Sequence, residues 1–388
     1  MNVVYLDNAA TTPADPRVVA AMTDCLTAAG AFANPASAHG PGRRARRLVE
    51  AARAAVGARV NAPAERILFT SGATEANNLA LKGVLRARTG GTRRRFVTTR
   101  LEHKSVLETA RTLAREGVDV AYVDCDRHGI VDPESVRAAI DDATALVSVM
   151  HVNNEIGAME DIPAIARICR ESGVPLHVDA AQSAGKVPVD LAGWGVDLCS
   201  LTAHKINGPK GIGALYVREG LELAALIDGG EPELGLRGGT LPTHQIVGMG
   251  KAFELADPAR EGPALAALRD LLWQGLSRLE GVVRNGSAGR AAPHILSVTF
   301  PGVDGASLLC ALEEIAVSRG SACASSVAEP SHVLSAIGLS DALAESTLRF
   351  GVGRFTEPVE VARAVERVAE EFARLREIAR GAPAWCSA

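Results

Sequence analysis

The feature that most constrains this chain is a repeated alternation of short apolar runs with longer stretches of helical periodicity. Residues 67–69, 96–98, 118–122, 145–149, 175–178 and 213–217 are apolar runs of strand length. Between several of them, residues 74–88, 104–116, 133–140 and 162–172 place apolar side chains at helical spacing. Runs that are apolar on both faces need cover on both faces, so the rhythm predicts an α/β domain whose largely parallel sheet is clothed by helices. Ligands of such sheets bind beyond the carboxyl ends of the strands, which directs attention to the loops that follow them. Past residues 257–263 the pattern changes to a helix over 264–279, an alternating run over 294–300 and a closing amphipathic helix over about 357–380. That reads as a smaller α+β domain, and 388 residues are too many for one small core.

Composition removes several classes of function. Net charge is −4, with acidic and basic residues mixed along the chain, so there is no broad basic field for a phosphate backbone and no direct nucleic-acid binding is expected. The arginine-rich stretches 43–47 and 93–95 read as solvated faces. No apolar run approaches the ~20 residues of a membrane helix, and the first residues lack the basic and apolar regions of a secretory signal. The seven cysteines are scattered without a CxxC pair, so neither a disulfide framework nor a metal site is expected, and a reducing cytoplasm fits best.

Four segments at predicted strand ends carry chemistry. Lys205 follows a strand and precedes the Gly/Pro-rich turn 207–213, with Thr202 and His204 beside it as alternating polar groups. Asp179 ends the apolar run 175–178. Residues 71–78, Ala73 and Thr74 among them, form a Ser/Gly/Thr turn into a helix, where backbone N–H groups and hydroxyls make an anion site. His103 follows the run 96–98 and can stack on a ring and move protons near neutral pH. Each also has an ordinary explanation: a solvated lysine, a turn aspartate, a helix cap, a structural histidine. Together they are the parts that pyridoxal 5'-phosphate requires: a Schiff-base lysine, a carboxylate that keeps the ring nitrogen protonated, a phosphate cradle and an acid/base over the ring.

A second constellation surrounds Cys323, in a run of small and polar residues before Glu329 and Pro330. A cysteine in such surroundings tends to be exposed and reactive, and Arg319 nearby can favour its thiolate. Arg349, in a strand-like run, offers either a surface ion pair or a clamp for a carboxylate.

These segments resemble the cysteine desulfurases of the NifS/IscS type, class V aminotransferase-like enzymes of fold-type I. The resemblance runs from residues 5–13 to 354–356 and includes residues 34–37, 71–78, 150–157, 179–182, 204–205, 239–242 and the stretch from Cys323 to Leu334. It implies a large domain over 15–256 with a mainly parallel seven-stranded sheet, and a small domain made of 1–14 and 257–388. It implies that Lys205 carries the cofactor, Asp179 pairs with its ring nitrogen, Gln182 meets its phenolic oxygen and His103 stacks on it. Ala73, Thr74, Thr202 and His204 would hold the phosphate, Asn154 and Arg349 the substrate carboxylate, and Thr240 the phosphate of a second subunit in a homodimer. Cys323 would take sulfur from L-cysteine as a persulfide, leave alanine, and pass the sulfur to an acceptor protein for iron–sulfur cluster assembly or thiolation of tRNA or DNA. A selenocysteine lyase, another class V enzyme, or a sulfur-transfer scaffold without catalysis are the alternatives. The segment 228–239 departs from the family pattern, with Leu234 where arginine is typical.

Overall fold

The computed structural model describes residues 3–87, 94–230, 232–320 and 330–381. In chain order the strands are β1 (Val4–Tyr5), β2 (Ile67–Thr70), β3 (Arg95–Thr99), β4 (Asp119–Val123), β5 (Thr144–Met150), β6 (Leu176–Asp179), β7 (Leu198–Thr202) and β8 (Gly213–Val217). They continue as β9 (Val283–Asn285), β10 (Ile295–Thr299), β11 (Ile315–Ala316) and β12 (Thr347–Gly351). Seven form one sheet in the order β2-β8-β7-β6-β5-β3-β4. Only β8 runs against its neighbours, β2 on one side and β7 on the other, and the remaining pairs are parallel. β5, β6, β7 and β8 are buried at every position, as a sheet covered on both faces demands.

Each face of the sheet has its own core. One gathers Phe69, Val147, Val149, Ile165, Leu201 and Phe253, the other Leu68, Leu79, Phe96, Leu146 and Leu215. Alternate residues of one strand point to opposite faces, which is why Leu68 and Phe69 part company. A third core holds Val4 and Leu6 from the N-terminus with Leu272, Phe300, Phe350 and Phe372 from the C-terminal third. There β10 lies between β12 and β9 in an antiparallel sheet, and β1 pairs with β11.

Two local expectations change. The helix expected from residue 264 begins at Pro258, because Asp257 caps it by accepting the Arg260 N–H and Pro258 occupies the first turn. Pro263 sits inside that helix and hid its start from periodicity. The arginine run 43–47 is exposed as expected, but it also fastens the preceding loop. Arg44 donates to the Ala29 carbonyl at 3.1 Å and Arg46 to that of Pro35 at 2.8 Å.

The unusual segment near residue 234 is held by charge. Glu233 is buried and meets Arg53 through two bonds of 2.9 and 2.8 Å, while also accepting the Phe69 N–H. Glu233 and Leu234 both have positive φ, 50° and 60°, a conformation that costs L-residues energy and persists where other contacts fix it. Glu233→Ala would leave the buried Arg53 guanidinium with only the exposed carboxylate of Glu50 as counter-ion. A loss of about 2–3 kcal/mol is expected, read as a lower denaturant midpoint.

Candidate active site

The carboxyl ends of β2, β3, β5, β6 and β7 open into one cavity of about 540 Å³. Ten of the sequence-derived candidates line it: Ala73, Thr74, His103, Asn154, Asp179, Gln182, Thr202, His204, Lys205 and Arg349. Thr240 does not. It lines a neighbouring concavity that shares only Ser71 and Gly211 with the main one. Cys323 lies outside the described residues.

Lys205 stands in a tight turn after β7. The N–H groups of Ile206 and Gly208 both return to the Ala203 carbonyl at 3.0 Å. Asn207, at φ 63°, takes the left-handed conformation that this turn needs, and its N–H and amide bond Thr12 Oγ1 and the Pro13 carbonyl. The N-terminal segment is thereby laid along the cavity. His204 Nδ1 lies 3.1 Å from Thr11 Oγ1, and burial, with Lys205 and Lys210 next, pushes its pKa down to about 4. It is therefore neutral at physiological pH, able to donate one N–H and to accept at its other nitrogen.

On the opposite wall, the turn 71–72 leads into the helix Ala73–Ala87, whose first N–H groups have no acceptor within the helix. Glu75 accepts the Ser71 N–H at 2.8 Å and is itself paired with Arg237 at 3.0 Å. This turn can approach β8 closely only because residue 213 is glycine. A Cβ there would stand 2.7 Å from Gly72 Cα.

Asp179 ends β6 with 4% of its surface exposed. One oxygen accepts the Ala181 N–H at 2.9 Å, the turn role expected of an aspartate in this place, and the other accepts the Asn77 amide at 2.8 Å. Gln182 donates to the Ala9 carbonyl at 2.8 Å and meets His294 Nε2 at 3.2 Å. Burial holds the His294 pKa far below its ordinary value, so the neutral ring donates and fixes the Gln182 oxygen. One hydrogen of the Gln182 amide is left over.

Arg349 is 2% exposed and reaches Asp7 Oδ1 at 2.9 Å, Ser318 Oγ at 2.7 Å and the Asn154 carbonyl at 2.8 Å. Its Nε is buried and has no hydrogen-bond partner among the described residues. A buried guanidinium with an unused donor, at the edge of a cavity, suits a carboxylate ligand.

Sequence reasoning passed over several residues that support this site. Asn77, Ser105, His294 and Glu155 are all buried, and the only available signal was a polar residue on an otherwise apolar face. Glu155 receives the Ser331 hydroxyl, and a Cβ at Gly320 would run into the same carboxylate oxygen. His332 Nε2 lies 3.0 Å from the Glu102 carbonyl. The described residues on both sides of 321–329 are thus fastened to the cavity wall.

The sequence from Val4 to Arg363 matches the class-V aminotransferase family. The chain is 49% identical to the cysteine desulfurase IscS of Pectobacterium atrosepticum, over 98% of this chain and 95% of that one. Among solved structures, a NifS-like protein superposes with a TM-score of 0.90 at 35% identity, covering 97% of this chain and 100% of that chain. A structure described as SspA in complex with cysteine gives 0.82 at 37% identity, covering 91% and 99%. The chain therefore belongs to the class-V aminotransferases, with the fold-type I architecture. Within them it is a member of the cysteine desulfurases of the NifS/IscS type. That family depends on pyridoxal 5'-phosphate. The residues present fit the group, since one cavity combines an amine, a buried carboxylate, an open helix start, hydroxyls and an unused amide hydrogen.

Proposed function

We propose that this protein converts L-cysteine to L-alanine and retains the sulfur as a persulfide on Cys323. The observation that carries the reading is the meeting of Lys205, Asp179, His103 and Arg349 in one cavity, in a chain with this relationship to cysteine desulfurases. Pyridoxal 5'-phosphate, when bound, supplies a carbonyl that condenses with amines and a ring that accepts electron density from the α-carbon.

The chain's own residues divide the remaining work. Lys205 supplies the amine that tethers the cofactor and then moves the α-proton. Asp179, fixed by Asn77 and the Ala181 N–H, holds positive charge at the ring nitrogen. Thr74, Thr202, His204 and the N–H groups at Ala73 receive the phosphate, and Gln182 offers its unused hydrogen to the phenolic oxygen. Arg349 and Asn154 orient the substrate carboxylate. The Cys323 thiolate attacks the substrate sulfur. A sulfur–sulfur bond forms as the carbon–sulfur bond breaks, and the released carbon is protonated, so cysteine plus thiol become alanine plus persulfide.

The other cysteines of the described residues support the choice of Cys323. Burial pushes the thiols of Cys125 and Cys169 up to about 11 and about 12, and that of Cys199 higher still, which withholds the nucleophilic thiolate. Cys310 is exposed but lines no part of the cavity.

We further read the protein as a homodimer in which Thr240 serves the partner's phosphate site. Its place outside its own cavity supports this. The division into 15–256 and 1–14 with 257–388 is supported by the separate core of Val4, Leu6 and the C-terminal third, although Val333, Leu334 and Ile337 pack into the large core. Among the described residues no helix is long and apolar enough to cross a membrane. The cysteines of the described residues are all free, as suits a reducing compartment, so we place the reaction in the cytoplasm, with a protein acceptor serving cluster assembly or thiolation. Adding L-cysteine to the cofactor-loaded protein should shift its visible absorption and release alanine. An unshifted spectrum with no alanine would refute the reading.

A further inference from the structure

We propose that Asn77 and Ser105 are positioning residues that hold His103 in a single tautomer, with its proton on Nε2, so that the ring serves the cavity as a hydrogen donor. The inference deepens the desulfurase reading and rests on it for its kinetic consequences, but the tautomer itself is a property of the folded chain.

The argument begins at a backbone group. His103 caps the helix Lys104–Arg115, and its Nδ1 accepts the Ser105 N–H at 3.1 Å. A backbone amide can only donate, so this contact favours a lone pair on Nδ1, but at 3.1 Å it is the longer of the two contacts to that nitrogen. The Ser105 hydroxyl also lies 2.8 Å from Nδ1. A hydroxyl can face either way, and its other neighbour decides. Asn77 Nδ2 donates to Ser105 Oγ at 2.8 Å, which leaves the hydroxyl hydrogen for Nδ1.

Asn77 is oriented in turn by Asp179. Its second amide hydrogen goes to Asp179 Oδ2 at 2.8 Å. Turning the amide over would set its carbonyl against a carboxylate, in a place where Asn77 has no exposed surface at all. The chain from Asp179 through Asn77 and Ser105 to His103 therefore has one polarity. A proton on Nδ1 would oppose the Ser105 N–H and displace the hydroxyl hydrogen. Nε2 is left carrying the hydrogen, and it has no partner among the described contacts.

The groups around the ring agree with this assignment. Burial lowers the His103 pKa, and Asp179 opposes that shift, while Lys205, His332 and Lys104 reinforce it. The net shift favours the neutral ring, in which only one nitrogen bears hydrogen. His103 thus enters the reaction by giving a hydrogen bond or proton from Nε2, and only afterwards has a lone pair there to take one back.

The test uses cofactor-loaded protein labelled with nitrogen-15 in the histidine rings, with His103 assigned by its absence in His103→Gln. Wild-type protein should show the Nε2–H pattern for His103. Ser105→Ala removes the hydroxyl donor and Asn77→Leu removes its orientation, and both should give a mixed tautomer signal and a raised His103 titration midpoint. Turnover of L-cysteine should fall about tenfold in kcat with KM little changed, the worth of roughly one hydrogen bond at the transition state. Should Asn77→Leu fail to fold, Ser105→Ala carries the test alone. An Nδ1–H pattern in the wild type, or variants with the wild-type ring spectrum and pH profile, would overturn the proposal. If no form turned over cysteine, the desulfurase reading would fail while the ring spectrum still decided the tautomer.

Discussion

Lys205→Ala should abolish turnover of L-cysteine, with a loss of at least about a thousandfold, since both a covalent tether and a proton carrier disappear together. The lysine sits in a turn closed by two bonds to the Ala203 carbonyl and buttressed by Asn207, so the truncation should leave the backbone as it is. Thr74, Thr202, His204 and Asp179 remain in the cavity. The variant should therefore still bind pyridoxal 5'-phosphate, but reversibly, losing it on gel filtration and lacking the absorption band of the covalently held form. Circular dichroism would verify the fold. A variant that retains the band would show that another amine carries the cofactor. Lys104 and Lys210, which also line the cavity, would be the first to examine.

Cys323→Ala should separate the two halves of the chemistry. Cofactor colour and the spectral response to L-cysteine should persist, because none of the described residues that line the cavity has changed. Alanine and persulfide formation should fall to background, since the cysteines of the described residues either have raised thiol pKa values or, like Cys310, lie away from the cavity. Serine at the same position should fail equally, because its hydroxyl is a poor nucleophile toward sulfur at neutral pH. Normal sulfide release from either variant would contradict the role given to Cys323.

Much of this was legible in the sequence, for identifiable reasons. The site lies at strand ends, and apolar runs broken by Ser71, His103, Asp179 or Lys205 announce such ends directly. The supporting residues were not legible. Asn77 lies within the helix Ala73–Ala87 between Ala76 and Leu79 and looks like an interruption of its apolar face, until Asp179 and Ser105 are seen on either side. Glu233 gave no sign of being buried, because its counter-ion Arg53 stands far away in sequence. Arg349 offered an ion pair or a carboxylate clamp in the sequence, but its contacts with Asp7 and Ser318 were not legible, because only the pairing of distant segments creates them. The place of Thr240, beside the cavity and not in it, needed three dimensions as well.

The most direct test follows the sulfur atom itself. Cofactor-loaded protein is mixed with L-cysteine in the absence of reductant, quenched within one turnover, and digested. The peptide containing Cys323 is weighed by mass spectrometry while alanine is counted in the same sample. The account requires one added sulfur on Cys323, equal in amount to the alanine released. Alanine produced with Cys323 unmodified, or the sulfur found on Cys310 or another cysteine, would contradict it.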